Sequence, residues 1–160
     1  MRVNGQLYFE IEQRFRKLEQ LIITATDKNL DELSASHLCR LGSVLICGNL
    51  ERCVELVLTT RFANRAPPQI GTFIKAYFRR GTNYDCEQIC QLLYRFDPEW
   101  GRTFENYLEQ KDDIKESISS CYAIRNSVAH GGGQNLGPRS LRQYYDASFE
   151  LIASLEQLIR

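Results

Sequence analysis

Histidine is scarce in this sequence, and an excess of charge of either sign is absent. The chain of 160 residues has two histidines, and its 20 lysines and arginines balance its 20 aspartates and glutamates. Many proteins that hold nucleic acid tightly are strongly basic, because they displace counterions from the phosphates. The zero net charge argues against tight, non-specific RNA binding, although a few local arginines around one phosphate suffice for a brief encounter.

Long apolar runs are also lacking. A membrane-spanning helix needs about 18 or more consecutive apolar residues, and no segment approaches that length. Glu10 and Glu12 follow soon after Met1, so the N-terminus has no apolar core of a signal peptide. These absences predict a cytoplasmic protein with no membrane partner.

The residue patterns of several enzyme classes are missing. The sequence has no GxSxG, no Walker-type loop and no HExxH, so a serine hydrolase, a nucleoside triphosphatase and a zinc protease have no residues to act with. Cys86 and Cys90 lie four positions apart, but zinc needs about four ligands and no second Cys or His pair is present. We therefore expect no metal and no cofactor, and we interpret the six cysteines as reduced thiols of the core.

Apolar residues recur at every third or fourth position along most of the chain, which is typical of helices. The length and an apolar content of 43% predict one globular domain over residues 1–160. The predicted helices run from Leu7 to Ala25, from a cap at Ser34 or Ser36 to about Phe62, from Pro67-Pro68 to Arg80, from Tyr84 to Phe96, from Pro98 behind a cap at Asp97 to about Gln110, from Asp112 or Asp113 to the glycines at 131–133, and from Pro138 to the end.

No strand alternation is visible, so the predicted fold class is all-α. The middle of the second helix is apolar nearly all round, which is typical of a central helix against which the others pack. We predict a bundle of about six to seven helices, with two long, roughly antiparallel helix pairs and shorter helices inserted between Pro67 and Gln110.

Arg125 stands on the apolar face of the predicted sixth helix, together with Cys121 and Val128. Because an unpaired charge is costly to bury, this guanidinium must meet a carboxylate, line a polar cleft or face another chain. Glu51 and Glu55 on the second helix are the candidate carboxylates. An ion pair that only fixes helix packing is the structural alternative to a catalytic role.

His130 is the last residue before the glycines, and it lies five positions after Arg125, about 140° around an ideal helix. Asn126 precedes it by four positions, so the two share a face and Asn126 can orient the imidazole. At the negative end of the helix macrodipole, this imidazole suits a general acid or base. A side chain that merely caps its own helix is an equally good interpretation of the spacing.

The glycine run terminates a helix rather than cradling a phosphate, since phosphate loops precede a helix N-terminus. Arg139 and Arg142 follow it and can contact phosphates from the last helix, although a solvated surface is the simpler interpretation. Tyr144 and Tyr145 can stack on a base, but their helical spacing favours core packing.

The segment Arg125-Asn126-Ser127-Val128-Ala129-His130 resembles the signature of HEPN domains, in which four to six residues separate an arginine from a histidine. Here the spacer is four residues and lies near the end of the penultimate helix. Gly48-Asn49-Leu50-Glu51 on an earlier helix and the tyrosine-bearing last helix extend the resemblance over most of the chain. The sequence looks most like the group named RiboL-PSP-HEPN.

The resemblance implies a homodimer whose motif helices face each other, and a toxin or defence ribonuclease that cuts RNA without a metal. The ribose 2′-hydroxyl would attack the phosphate to leave a 2′,3′-cyclic phosphate and a 5′-hydroxyl, with His130 moving protons, Arg125 stabilising charge and Asn126 orienting either group. Glu51, Arg139 and Arg142 would support the site or bind RNA. An antitoxin or sensor protein is a further partner of such enzymes, but Gly132 replaces the tyrosine that is modified in one HEPN branch.

Two other interpretations stay open. A non-catalytic HEPN module that binds a partner protein or a nucleotide agrees with the zero net charge. A purely structural helical dimer would use Arg125 as a packing ion pair.

Overall fold

The chain folds into an all-α bundle, which confirms the predicted fold class. A computed structural model describes residues 2–63, 65–81, 83–133 and 135–159. Over these ranges it has seven helices and no strand: α1 (Arg2–Ala25), α2 (Glu32–Phe62), α3 (Pro68–Phe78), α4 (Cys86–Phe96), α5 (Pro98–Glu109), α6 (Asp112–Ala129) and α7 (Pro138–Leu158). Among the described residues, no helix combines the length and the apolar character that a membrane crossing requires.

Helix α2 is the centre of the bundle and contacts α1, α3, α6 and α7. Apolar side chains surround its middle, where Ile46, Leu50 and Leu58 are at most 1% exposed. Its packing against α6 brings the sulfurs of Cys47 and Cys121 within 3.7 Å of each other. All six cysteines are free and buried, so their assignment to the core is confirmed.

Helices α1 and α7 pack through aromatic side chains. The ring of Phe15 meets those of Tyr145 and Phe149 edge-on, with centroids 5.6 and 5.0 Å away, an arrangement that aromatic quadrupoles favour. The Tyr145 hydroxyl donates to the Phe15 carbonyl at 3.3 Å. Tyr145 is buried and Tyr144 is half-buried, in agreement with their predicted role in packing.

The start of α2 differs from the sequence prediction. The cap is Asp31, whose Oδ1 accepts the backbone N–H of Ser34 at 2.9 Å. The predicted caps at Ser34 and Ser36 are wrong, because a carboxylate three positions earlier satisfies the free amide and also favours the positive end of the helix dipole.

Helix α4, in contrast, starts later than predicted, at Cys86 rather than Tyr84. Asp85 is its cap and accepts the N–H of Gln88 at 2.9 Å. The predicted cap of α5 at Asp97 is confirmed, since this carboxylate accepts the N–H of Glu99 at 2.8 Å. Smaller differences are that α1 begins at Arg2 rather than Leu7, α3 ends at Phe78 rather than Arg80, and α5 ends at Glu109 rather than Gln110.

Candidate active site at the end of helix α6

Helix α6 ends in a glycine turn. His130 is its C-cap, and Gly131 follows with φ of +74°, the left-handed region that glycine adopts without strain. The N–H of Gly132 donates to the Ser127 carbonyl at 2.7 Å, where a Cβ would meet the Ser127 hydroxyl at 2.2 Å. The glycines therefore end the helix as predicted, and they leave His130 exposed beside the turn.

Arg125 is half-buried one turn before this end. Its Nη1 donates to Oδ1 of Asn83 at 2.7 Å and to Oδ1 of Asn126 at 3.1 Å. Both acceptors are neutral amides, so they orient the guanidinium without neutralising it. Arg125 forms no salt bridge to a carboxylate in the described ranges.

Glu51 is the carboxylate that interacts electrostatically with Arg125. Burial raises the pKa of Glu51, and the nearby Arg125 guanidinium and Tyr122 hydroxyl offset part of that rise. Glu55, the other candidate, pairs with Arg52 on its own helix. Glu51 is thus an electrostatic neighbour of Arg125, without a salt bridge to it in the described ranges.

Replacing Glu51 with glutamine should change how the stability of the fold depends on pH. Burial raises the folded-state pKa of Glu51 above its ordinary value of 4.5, so the unfolded chain loses this proton first as the pH rises. The wild type then loses stability from about pH 4.5 upward, whereas Glu51→Gln does not. Urea unfolding between pH 4 and pH 7 should show that the free energy of unfolding of the variant rises relative to that of the wild type as the pH increases. A difference in unfolding free energy that stays constant with pH would contradict the raised pKa.

The loop before α4 reaches the site through two tyrosines. The backbone N–H of Tyr84 donates to the hydroxyl of Tyr122 on α6 at 3.1 Å. Burial raises the pKa of both phenols, that of Tyr84 to about 12, so both hydroxyls stay protonated. This hydrogen bond fixes the loop where Asn83 meets Arg125. Asn83 could not be predicted from the sequence, because its role depends on a contact between residues 42 positions apart.

Asn126 and His130 share a face of α6, but their side chains are not joined. The Asn126 amide oxygen accepts from Arg125, and the His130 backbone N–H donates to the carbonyls of Asn126 and Ser127. The predicted contact between Asn126 and the imidazole is therefore absent from this chain. The imidazole is exposed and makes no hydrogen bond within the described residues, so it does not cap the helix carbonyls either.

The two arginines of α7 differ in their surroundings. Arg142 pairs with Glu19 at 3.1 Å and with Asp146 at 3.3 Å, and its guanidinium lies 5.2 Å from the centre of the Tyr145 ring. These contacts join α7 to α1 and compete with a phosphate for Arg142. Arg139 is exposed in the first turn of α7 and has no such pair in the described part of the chain.

Cys86 and Cys90 of α4 are buried rather than open to an ion. Burial raises the pKa of the Cys86 thiol to about 12. The Cys90 sulfur donates to the Gly101 carbonyl at 3.7 Å. Among residues whose placement is described, no three His, Cys, Asp or Glu side chains are positioned to share a metal.

A comparison with protein families places a match over most of this chain. The family model described as RiboL-PSP-HEPN matches residues 10–160, which include Glu51, the loop at Asn83 and the whole of α6. No curated protein and no solved structure matches the chain.

Proposed function

Because the chain belongs to the RiboL-PSP-HEPN family, we propose that it is a metal-independent endoribonuclease of toxin or defence type. The match confirms the resemblance carried by Arg125 and His130, and it indicates a nuclease-type or nucleotide-related function. The proposal narrows that function to RNA cleavage by an arginine and a histidine.

The state of Arg125 is the observation that carries the proposal. A guanidinium has five N–H donors, and the hydrogen bonds to Asn83 and Asn126 both use Nη1. No further hydrogen bond uses the remaining donors in the described ranges, and a planar guanidinium matches the oxygens of a phosphate. A half-buried cation held by neutral groups is a preorganised anion site.

The proposed reaction is an in-line displacement at phosphorus. The 2′-oxygen of the ribose loses its proton to an imidazole and bonds to the phosphorus, while the bond from phosphorus to the 5′-oxygen breaks and that oxygen takes a proton. The products are a 2′,3′-cyclic phosphate and a 5′-hydroxyl. His130 moves the protons, and Arg125 stabilises the negative charge that develops on the equatorial oxygens.

Two copies of the chain would complete this site. Arg125 and His130 lie about 140° apart around α6, and no hydrogen bond joins Arg125 to the exposed imidazole of the same chain. Moving one proton off and another on also calls for two imidazoles, and one chain supplies one at this place. Facing α6 helices would gather two arginines and two histidines in one cleft.

The proposed dimer predicts the molar mass of the protein in solution. Light scattering at micromolar concentration should give a mass close to twice the 18.6 kDa of one chain. A monomer that still cleaves RNA would contradict the shared site. A monomer that cleaves nothing would favour the non-catalytic module, which binds a partner protein or a nucleotide and which the zero net charge of the chain also suits.

RNA cleavage itself tests the proposal. Mixed single-stranded and structured RNAs incubated with the wild type in EDTA should be cut, and DNA of the same sequence should stay intact because it lacks the 2′-hydroxyl. Intact RNA, cleavage of DNA, or a strict requirement for a divalent cation would overturn the mechanism. The physiological RNA, and an antitoxin or sensor protein that restrains the activity, are further parts of this proposal.

A further inference from the structure

Positive charge is concentrated in one segment of this neutral chain. Residues 61–84 contain no aspartate or glutamate and five basic residues. All 20 acidic residues and the other 15 basic residues lie elsewhere, so the remainder carries a formal charge of −5. The five are Arg61, Arg65, Lys75, Arg79 and Arg80.

Three of these cations are free at the surface on and just after α3. Lys75, Arg79 and Arg80 are exposed, and none has a salt bridge with any residue that the structure describes. Arg61 differs, because its guanidinium lies over the Trp100 ring at 5.7 Å. Unpaired surface cations retain their full attraction for phosphates.

Aromatic side chains lie on the side of α3 that meets α4, about 160° around an ideal helix from Lys75, which borders α2 instead. Phe73 is 65% exposed, although it is a large apolar residue. It borders an apolar cleft of about 200 Å³ between α3 and α4, which Tyr77, Phe78 and Phe96 also line. Sites for drug-sized ligands start at about 300 Å³, so the cleft suits a single flat ring. Arg95, at the same cleft, donates to the Tyr77 hydroxyl at 3.0 Å.

This surface continues to the candidate active site. The Phe78 ring at the end of α3 stacks on Tyr84 with centroids 4.9 Å apart, and Asn83 beside it accepts from Arg125. Arg80 and Asn83 are three positions apart, so their Cα atoms lie within about 11 Å of each other. The short loop that carries Asn83 therefore joins the end of α3 to Arg125.

We propose that Phe73, Arg79 and Arg80, named here the α3 surface, bind single-stranded RNA and lead it to Arg125. The inference rests on the proposed ribonuclease function and assigns the place where its substrate docks. Basic residues with interleaved aromatics hold a strand through its phosphates and stacked bases, and only an unpaired strand offers its bases for stacking. The groove between α6 and α7 is excluded for RNA, because Asp113, Glu116, Asp146 and Glu150 line it.

A binding measurement separates this inference from catalysis. The probe is a fluorescein-labelled, mixed-sequence RNA of about twenty nucleotides. It is titrated with the His130→Ala variant, so that the RNA is not cleaved during the measurement. Adding Arg79→Ala and Arg80→Ala should weaken binding about tenfold and lower the slope of log K against log salt by about 1.4, since each phosphate contact contributes roughly 0.7. The matched control is Lys17→Ala and Arg102→Ala, which removes the same charge from exposed positions elsewhere and should change both quantities little.

The Phe73→Ala variant tests the aromatic part. It should weaken binding about tenfold without changing the salt slope, because stacking involves no counterion. Equal weakening by the two charge variants would mean that only total charge matters and would overturn the α3 surface. Cleavage is measured with the α3 substitutions in a chain that keeps His130. If that variant cuts RNA with the KM of the wild type, the docking site is wrong while the ribonuclease proposal stands. If no variant binds or cuts RNA, both fail, and an acidic partner protein becomes the alternative occupant.

Discussion

Replacing His130 with alanine should lower the rate of RNA cleavage by about 10²- to 10⁴-fold, the usual contribution of a positioned acid or base. The imidazole is exposed and has no hydrogen bond in the described part of the chain, so the substitution should leave the unfolding midpoint nearly unchanged. The measurement is single-turnover cleavage of a defined RNA in EDTA, with thermal unfolding of the same samples.

The chain provides its own control for this experiment. His37 is the other histidine and is also exposed, on α2, so His37→Ala removes an exposed imidazole away from the site and should cleave at the wild-type rate. Full activity in His130→Ala would remove the histidine from the mechanism. A large loss in both variants would mean that the effect is not specific to the end of α6.

Replacing Arg125 with alanine should reduce cleavage by about 10²- to 10³-fold, because a preorganised donor to the developing charge is lost. Arg125→Lys should recover little of this, since an ammonium cannot reproduce the planar fork. The Asn83→Ala variant keeps the guanidinium but removes the 2.7 Å hydrogen bond, so it should give a smaller loss. Single-turnover rates at saturating RNA report all three.

The same variants separate catalysis from packing. If Arg125 only fixed the helices through a buried ion pair, Arg125→Ala would cost about 3–5 kcal/mol. Its hydrogen bonds to two neutral amides lead us to expect about 1–3 kcal/mol. Urea unfolding decides between these ranges, and a stability loss at the upper range with no activity to lose would favour the structural alternative.

The sequence predicted the helices well because their apolar periodicity is strong and their ends carry local signals. Pro138 starts α7 and Asp97 caps α5 as predicted, since both signals act within one turn. The start of α2 was misplaced because Asp31, Ser34 and Ser36 are all good caps. Which of the three is the cap depends on which side-chain oxygen accepts a hydrogen bond from a free backbone N–H in the folded chain.

The candidate site was predictable only where it lies on one helix. The spacing of Arg125 and His130 is local and could be read directly. Distinguishing Glu51 from Glu55 requires the rotation of α2 against α6, and finding Asn83 requires the path of a distant loop. The residue pattern within one helix reveals neither the rotation of that helix against its neighbour nor the path of a distant loop.

Arg142 illustrates a related limit. Its place after the glycine run made it a candidate phosphate ligand, but its surroundings depend on how closely α1 approaches α7. That approach places Glu19 within 3.1 Å of the guanidinium, where it competes with RNA. Arg139 lacks such a pair in the described residues and stays the stronger candidate of the two for a phosphate contact.

The end groups of the RNA fragments test the central claim most directly. Fragments made by the wild type in EDTA should carry a 2′,3′-cyclic phosphate and a 5′-hydroxyl, because the 2′-oxygen is the proposed nucleophile and the 5′-oxygen the leaving group. Fragments with a 3′-hydroxyl and a 5′-phosphate would show that water attacks instead, as in metal-dependent nucleases, and would contradict the assignment of Arg125 and His130.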